Sequence, residues 1–525
     1  MLNAVKASLA FMTPQERSKW FFLTGLRALL SLLDLAGILA IGFVVTSTAI
    51  FLTSGSDPNR VIQFVGLQIP AVNAQTLPWV SAAVLALFLL KALFSLALTK
   101  QAAFFVATIE ARSAKRIAEI SFGGDLGQAR KRSREEMMFA IQVGSPAAFN
   151  RLLNAVNVLA AEATLFLTIC LGFLFVDALA TLVAIIYFGT IALVIQYFIG
   201  SMMIKAGAIN TQESIKANTA ITDLLSVFRE LSVLRKKHIY IDEIYRARVS
   251  AADSSANQYF LSGMPRYIIE AALLVGVALF VLTQALSGDL IGSAATLGVF
   301  LSGGFRLTAA LLPFQNALLT IKSEIPSAKK AHEILSLEKE NTVESELPDN
   351  LPKRNSLLAA QSIGAEPIGV KFDQVSFSYS DSETPVLKAV SFLIEPGGQV
   401  ALMGPSGAGK STIADLICHV LTPTSGQVIR TNLAGLELGS IENGPVGYVP
   451  QRPGLVSGTI LSNVALAEPS HSVDRVQALE AIRMANLSDL VSSLSDGLDT
   501  QLGKLQDGLS AVSYTHLRAH ETVLD

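Results

Sequence analysis

Charge is scarce in this chain. Only 16% of its 525 residues are Asp, Glu, Lys or Arg, against roughly 25% in soluble domains, which excludes an ordinary water-soluble enzyme along the whole length. An excess of either sign is missing too: 40 Lys and Arg stand against 42 Asp and Glu, a formal net charge of -2. No global basic field points to nucleic acid as a partner. Cysteine is nearly absent. Cys170, in an apolar run, and Cys418, far from it in sequence, can form neither a disulfide framework nor a zinc spacing and read as small buried hydrophobes. A signal-peptide core is missing as well, because the first apolar stretch begins only near Trp20 and is too long for one; it reads as a retained membrane helix.

What is present is hydrophobic length. Hydrophobic residues make up 51% of the chain, and six runs long enough for the roughly 20 residues a bilayer core requires lie near 20–52, 78–108, 150–176, 179–204, 266–287 and 290–318. The second and third merge into amphipathic helical sequence without a Pro or Gly stop, so helices that continue beyond the membrane are expected. Lys and Arg are distributed unevenly among the connections. Lys6, Arg17 and Lys19 precede the first run, Lys100 to Arg134 follow the second and Lys205 to Arg248 follow the fourth, whereas 53–77 holds only Arg60 and the turns at Asp177 and Asp289 hold no base. The asymmetry places both termini and two long helical hairpins on the cytoplasmic side of six spans. Asp34, Lys91, Glu162, Glu270 and Arg306 fall inside these runs. Such groups either line a pathway for a polar substrate or pair between helices, with Lys91 snorkelling.

From 337 to 369 hydrophobicity falls and Pro348, Pro352 and Pro367 appear among Glu, Asp, Asn and Ser, the composition of a linker. Beyond it, strands are expected over Val370–Tyr379 and Val386–Ile394, with a turn at Pro396-Gly397-Gly398. The most specific signal follows. Gln399–Met403 reads as a strand and Ile413–Val420 as a helix; between them Gly404-Pro405-Ser406-Gly407-Ala408-Gly409-Lys410-Ser411-Thr412 is a complete G-x-x-x-x-G-K-[ST] phosphate loop. Its glycines let backbone N–H groups converge on phosphate, Lys410 reaches the β and γ phosphates, and Ser411 ligates Mg²⁺.

The chain resembles the ATP-binding cassette transporters, specifically exporter half-transporters that fuse six transmembrane helices to one nucleotide-binding domain, and the likeness runs from about 15 to 510. The resemblance implies that Tyr379 stacks on adenine. It implies that Gln451, in Gly447-Tyr448-Val449-Pro450-Gln451, senses Mg²⁺ and the attacking water, with Gly458 to Val464 following at family spacing. It also implies ATP and Mg²⁺ as cofactors, an identical or different half-transporter as partner, and short coupling helices near 124–138 and 213–230. The family's signature and its strand ending in Asp-Glu have no match: Leu509-Ser510-Ala511-Val512-Ser513 stands at the signature's place. Residues 513–525 look like translated adaptor sequence, so a truncated cassette with a non-native tail is expected.

The expected architecture is an all-α polytopic membrane domain over 1–336, a linker over 337–369 and an α/β phosphate-loop domain over 370–512, incomplete at its C-terminus. The resemblance implies ATP-driven export or flipping in a bacterial inner membrane, among membrane lipids, without nucleic acid. Gly304-Phe305-Arg306-Leu307 with Leu312-Pro313, and Phe228-Arg229-Glu230-Leu231 with Leu234-Arg235, are similar to segments of flippases for lipid-linked oligosaccharides. A peptide or hydrophobic-compound exporter and a non-hydrolysing, ATP-binding regulatory membrane protein stand as alternatives.

Overall fold

The computed structural model describes residues 1–30, 32–33, 61–64, 67–70, 77–122, 133–174, 178–287, 294–341, 367–379, 384–432, 437–440, 447–449, 454–466 and 473–502. These residues fall into two compact units, one within 1–346 and one within 367–502.

The first unit is helical because its long apolar runs carry few breakers. After α1 (Leu2–Ala10), residues 14–30 are helical. That helix begins on a reciprocal cap in which Thr13 Oγ1 accepts from the Glu16 N–H (3.3 Å) and Glu16 Oε2 accepts from the Thr13 N–H (3.0 Å). A two-stranded antiparallel hairpin follows, β1 (Val61–Phe64) and β2 (Leu67–Pro70), inside the segment read from sequence only as a loop. Next come α2 (Leu77–Phe122), α3 (Arg134–Phe139), α4 (Leu152–Leu174), α5 (Ala178–Ser226), α6 (Phe228–Val233), α7 (Lys237–Ser287) and α8 (Ala294–Asn341). Helices α2, α5, α7 and α8 have 46, 49, 51 and 48 residues, so each is about 70 Å long at 1.5 Å per residue. That is more than twice a bilayer core of about 30 Å, in keeping with helices that run on past the membrane.

Four stretches among the described residues are long and apolar enough to cross a membrane: Pro78–Phe122, Arg134–Leu171, Ile185–Ser226 and Lys237–Ala278. Much of the expected first span, and the side chains of the sixth up to 307, lie outside the described residues. The same holds for Asp34 and the Arg306 side chain. Lys91 and Glu162 are half-buried. Glu270 is exposed and accepts from Arg266 Nε at 2.9 Å, one turn away on the same helix, rather than pairing across helices.

Between α3 and α4 the helix widens into two π-helical segments, Ala140–Gly144 and Pro146–Arg151. Pro146 has no N–H to give, which loosens the regular ladder at this point. The widened turn packs on the C-terminal half of α8: a Cβ on Gly144 would stand 3.1 Å from the Ser327 carbonyl. Phe149, Leu152 and Leu153 are fully buried there with Ile109, Ile117 and Ala331. A second core, with Phe188, Ile199, Leu261, Ile269 and Leu319, joins α4, α5, α7 and α8.

The second helical hairpin has its short separate helix at α6, later than the 213–230 expected, because α5 continues unbroken to Ser226. Val227 leaves helical geometry, and α6 ends on a left-handed Arg235 (φ 54°). There the Lys236 N–H reaches the Leu231 carbonyl (3.0 Å) and the Arg235 N–H reaches Ser232 (3.2 Å), a Schellman end. Of the first expected coupling segment, only 133–138 is described.

In the second unit a four-stranded antiparallel sheet has the order β4-β3-β5-β6, made of β3 (Gly369–Phe377), β4 (Leu387–Ile394), β5 (Ser425–Thr431) and β6 (Glu437–Ser440). Phe372 and Phe392 stack across it with ring centroids 4.4 Å apart. The strand expected at Gln399–Met403 does not form. Val400, Leu402 and Met403 are exposed, and no described strand pairs with them, so the segment has no ladder to join. After α9 (Lys410–Ile417), a smaller helical subdomain contains β7 (Gly458–Thr459), α10 (Ile460–Val464), α11 (Arg475–Met484), α12 (Ser488–Ser493) and β8 (Gln501–Leu502). Its core is Ile460, Ala481, Ile482, Leu487 and Leu498. Most of the expected linker, residues 342–366, and the expected tail lie outside the described residues.

Candidate functional site

The phosphate-loop segment leaves β4 through the turn at Pro396-Gly397, where Gly397 has φ +76° and the Gly398 N–H closes on the Glu395 carbonyl at 2.9 Å. The loop then depends on two left-handed glycines, Gly407 and Gly409, each with φ +84°. Side chains rarely adopt that geometry. Gly409 is also pinned from outside, since a Cβ there would meet Leu387 Cδ2 at 3.0 Å. Helix α9 starts on Gly409 without a side-chain cap, which leaves its first N–H groups available and the positive end of its dipole uncovered.

Ser406, Gly407, Ala408 and Ser411 are exposed along this turn, as are Gly404 and Pro405. Lys410 Nζ folds back onto the loop's own carbonyls, 2.8 Å from Gly404 O and 2.7 Å from Pro405 O. An ammonium has three N–H donors, so one remains for a ligand. Thr412 points the other way. It is buried, and its Oγ1 lies 3.1 Å from the Tyr379 hydroxyl. The Tyr379 ring meets Phe377 edge-on at 4.9 Å and packs partly into the sheet core. The structure thus brings Tyr379, the loop, Lys410, Ser411 and Thr412 together. Gln451 lies outside the described residues, as does the segment 509–513.

The helix end is closed by a left-handed His419 (φ 56°), where the Val420 N–H bonds the Asp415 carbonyl at 2.9 Å and the His419 N–H bonds Leu416 at 3.2 Å. Leu416 is fully buried against the sheet, so the loop rests on a packed base. This arrangement suits a polyphosphate: backbone donors and one cation face solvent on a fixed turn. Among the described residues no cluster of three or more His, Cys, Asp or Glu could hold a metal ion by itself. A single hydroxyl beside a phosphate site fits Mg²⁺, which keeps waters and shares its coordination with substrate phosphates.

Sequence reasoning missed one polar anchor of this unit. Asn463 is buried, its Oδ1 accepts from the Val456 N–H (3.0 Å), and its Nδ2 donates to the carbonyls of Val456 (3.0 Å) and Thr459 (2.9 Å). It ties the segment before β7 to α10. Its only signal in the sequence was an Asn beside Ser462 in the short stretch Ile460–Val464.

Residues 387–505 match the family described as ABC transporter. A protein of Staphylococcus aureus (strain NCTC 8325 / PS 47), provisionally named a multidrug export ATP-binding/permease protein, is 39% identical over 149 residues, 27% of this chain and 25% of that protein. The mycobactin import ATP-binding/permease protein IrtB of Mycobacterium bovis is 40% identical over 149 residues, covering 28% and 25%. The matched part therefore spans about a quarter of the length of these curated relatives. Among solved structures, a bacterial Atm1-family ABC exporter with ATP bound has a TM-score of 0.67 and 19% identity, over 98% of this chain and 84% of its own. At that identity the likeness is one of fold.

Proposed function

We propose that the chain is a half-transporter that uses ATP binding and hydrolysis to export or flip an amphipathic or lipid-linked substrate across a bacterial inner membrane. The observation that carries this reading is the phosphate loop of Gly404–Thr412, with its left-handed glycines and uncapped eight-residue helix, in one chain with long apolar helices. In this reading there are six spans, both termini are cytoplasmic, and the two helical hairpins carry changes at the cassette to the membrane helices. Tyr379 contacts adenine, the loop and Lys410 hold the phosphates, and Ser411 with Gln451 holds Mg²⁺. Phosphoryl transfer demands positioning and charge neutralisation above all, which a phosphate loop and its Lys supply. A second half-transporter, identical or not, completes the nucleotide sites. The family match over 387–505 supports the cassette, and the fold likeness over nearly the whole chain supports its fusion to a membrane domain.

Inverted membrane vesicles carrying the chain test this reading with a radiolabelled lipid-linked oligosaccharide. Uptake should require hydrolysable ATP and fail with a non-hydrolysable analogue. Lys91→Met should abolish uptake while leaving helix content unchanged if the intramembrane charges line the pathway. Uptake that is indifferent to ATP would sink the transport reading.

A further inference from the structure

Helices α5 and α7 run side by side, and an open groove of about 600 Å³ lies between them. Its floor is tied by Ser254 Oγ, which donates to the Ala206 carbonyl at 2.6 Å, and both residues are buried. Apolar walls come from Met202, Ile209 and Leu261, and two cations, Lys205 and Arg246, line the same groove. Neither cation has an ion pair among the described residues; Arg246 Nε has only a long bond to the Asp242 carbonyl of its own helix, 3.3 Å. One acid, Asp253, also faces in, so the groove carries one net positive charge.

The groove's position along the two helices says what kind of molecule fits. Lys205 is the first charged residue after the apolar stretch of α5, and Leu261 stands five residues before the apolar run of α7 that starts at 266. Exposed aromatics flank this level on both helices: Tyr197 and Phe198 on α5, Tyr259, Phe260 and Tyr267 on α7. Aromatic rings with a polar edge collect where hydrocarbon meets headgroups. A groove at that level, with Met202 and Leu261 on its hydrocarbon side and two cations without an ion pair among the described residues on its water side, has the build of a site for an anionic amphiphile.

We propose that this groove binds an anionic phospholipid, its phosphate between Lys205 and Arg246 and its acyl chains along Met202 and Leu261. Free phosphate shares the charge but would leave the apolar walls wet, and a zwitterionic lipid would gain little from a net positive groove. The site rests on α5 and α7 entering the bilayer, not on what the protein transports.

The test uses the full chain in nanodiscs of phosphatidylcholine with a minor fraction of phosphatidylglycerol, then native mass spectrometry of the lipids that remain bound after detergent extraction. Phosphatidylglycerol should be retained over phosphatidylcholine. Lys205→Gln with Arg246→Gln should lower that retention by about 30-fold, taking two cations at the strength usual for a Lys or Arg at an anionic membrane surface. Asp253→Asn should raise it, and Lys236→Gln with Lys237→Gln, at the hairpin tip, should leave it unchanged. Helix content by circular dichroism confirms that each variant folds. Equal retention by the Lys205/Arg246 variant would overturn the proposal. So would competition by inorganic phosphate alone.

Discussion

At the scale of single residues, two buried polar groups with opposite characters stand out. Ser8, fully buried, donates its one hydroxyl proton to the Ala148 carbonyl (2.9 Å), so His332 Nε2, 2.9 Å away, must be the donor in their contact. The ring is boxed by Phe11, stacked at 6.0 Å, and Phe149, edge-on at 6.1 Å. Burial holds His332 neutral and brings its pKa down from 6.5 to about 4. Below pH 6.5 the unfolded chain takes up a proton that the folded chain refuses. His332 therefore subtracts stability progressively as pH falls from 6.5 toward 4, by about 3 kcal/mol in total. Glu324 works against that trend, because burial raises its pKa despite the nearby Arg151 and so favours the folded state in acid. A denaturant titration of the chain in detergent at stepped pH measures the balance. His332→Gln, which keeps a donor for Ser8, should flatten the loss, and an unchanged pH profile would contradict the assignment. Asn463 is the opposite case, a polar group whose three bonds are all made to backbone. Asn463→Leu strands the Val456 N–H and two carbonyls and should destabilise the second unit by about 2 kcal/mol or more, visible as an earlier melting step.

At the scale of elements, close helix approach is set by small residues on α5. A Cβ on Gly207 would fall inside the van der Waals distance of the Ser323 backbone carbonyl on α8, whereas a Cβ on Gly200 would meet only the far end of the Lys322 side chain, which can swing away. Gly207→Ala should therefore push α5 and α8 apart and lower the melting temperature clearly, while Gly200→Ala should be nearly silent. Parallel thermal scans of the two variants decide it, and equal effects would contradict this packing. The long helices themselves were legible in the sequence because long apolar runs with few breakers leave the backbone no other way to satisfy its N–H and C=O groups in lipid. The phosphate loop was legible for a similar reason: glycine accepts the left-handed turns at 407 and 409 (φ +84°) without the strain a side chain brings. What the sequence did not show was set by tertiary partners. The stretch Gln399–Met403 has strand composition but no described neighbour to pair with. The short helix at 228–233 depends on the break at Val227 and the left-handed Arg235, which no pattern of hydrophobicity encodes. Thr412 reads as part of the loop, yet Tyr379 turns it inward. His332 and Ser8 are 324 positions apart, beyond the reach of any local pattern.

At the scale of the whole molecule, a low average charge conceals two unlike parts. One is a set of helices about 70 Å long, each apolar over one half, the other a small sheet and helical subdomain holding a turn shaped for phosphate. This turn is proposed to bind MgATP through Lys410. Calorimetric titration of MgATP into the full chain in nanodiscs, beside Lys410→Ala, tests it most directly. The native chain should bind saturably, and the variant should lose about tenfold or more in affinity, the scale of a charge-assisted bond to phosphate. Equal affinity in the two proteins, or no binding by the native chain, would contradict it.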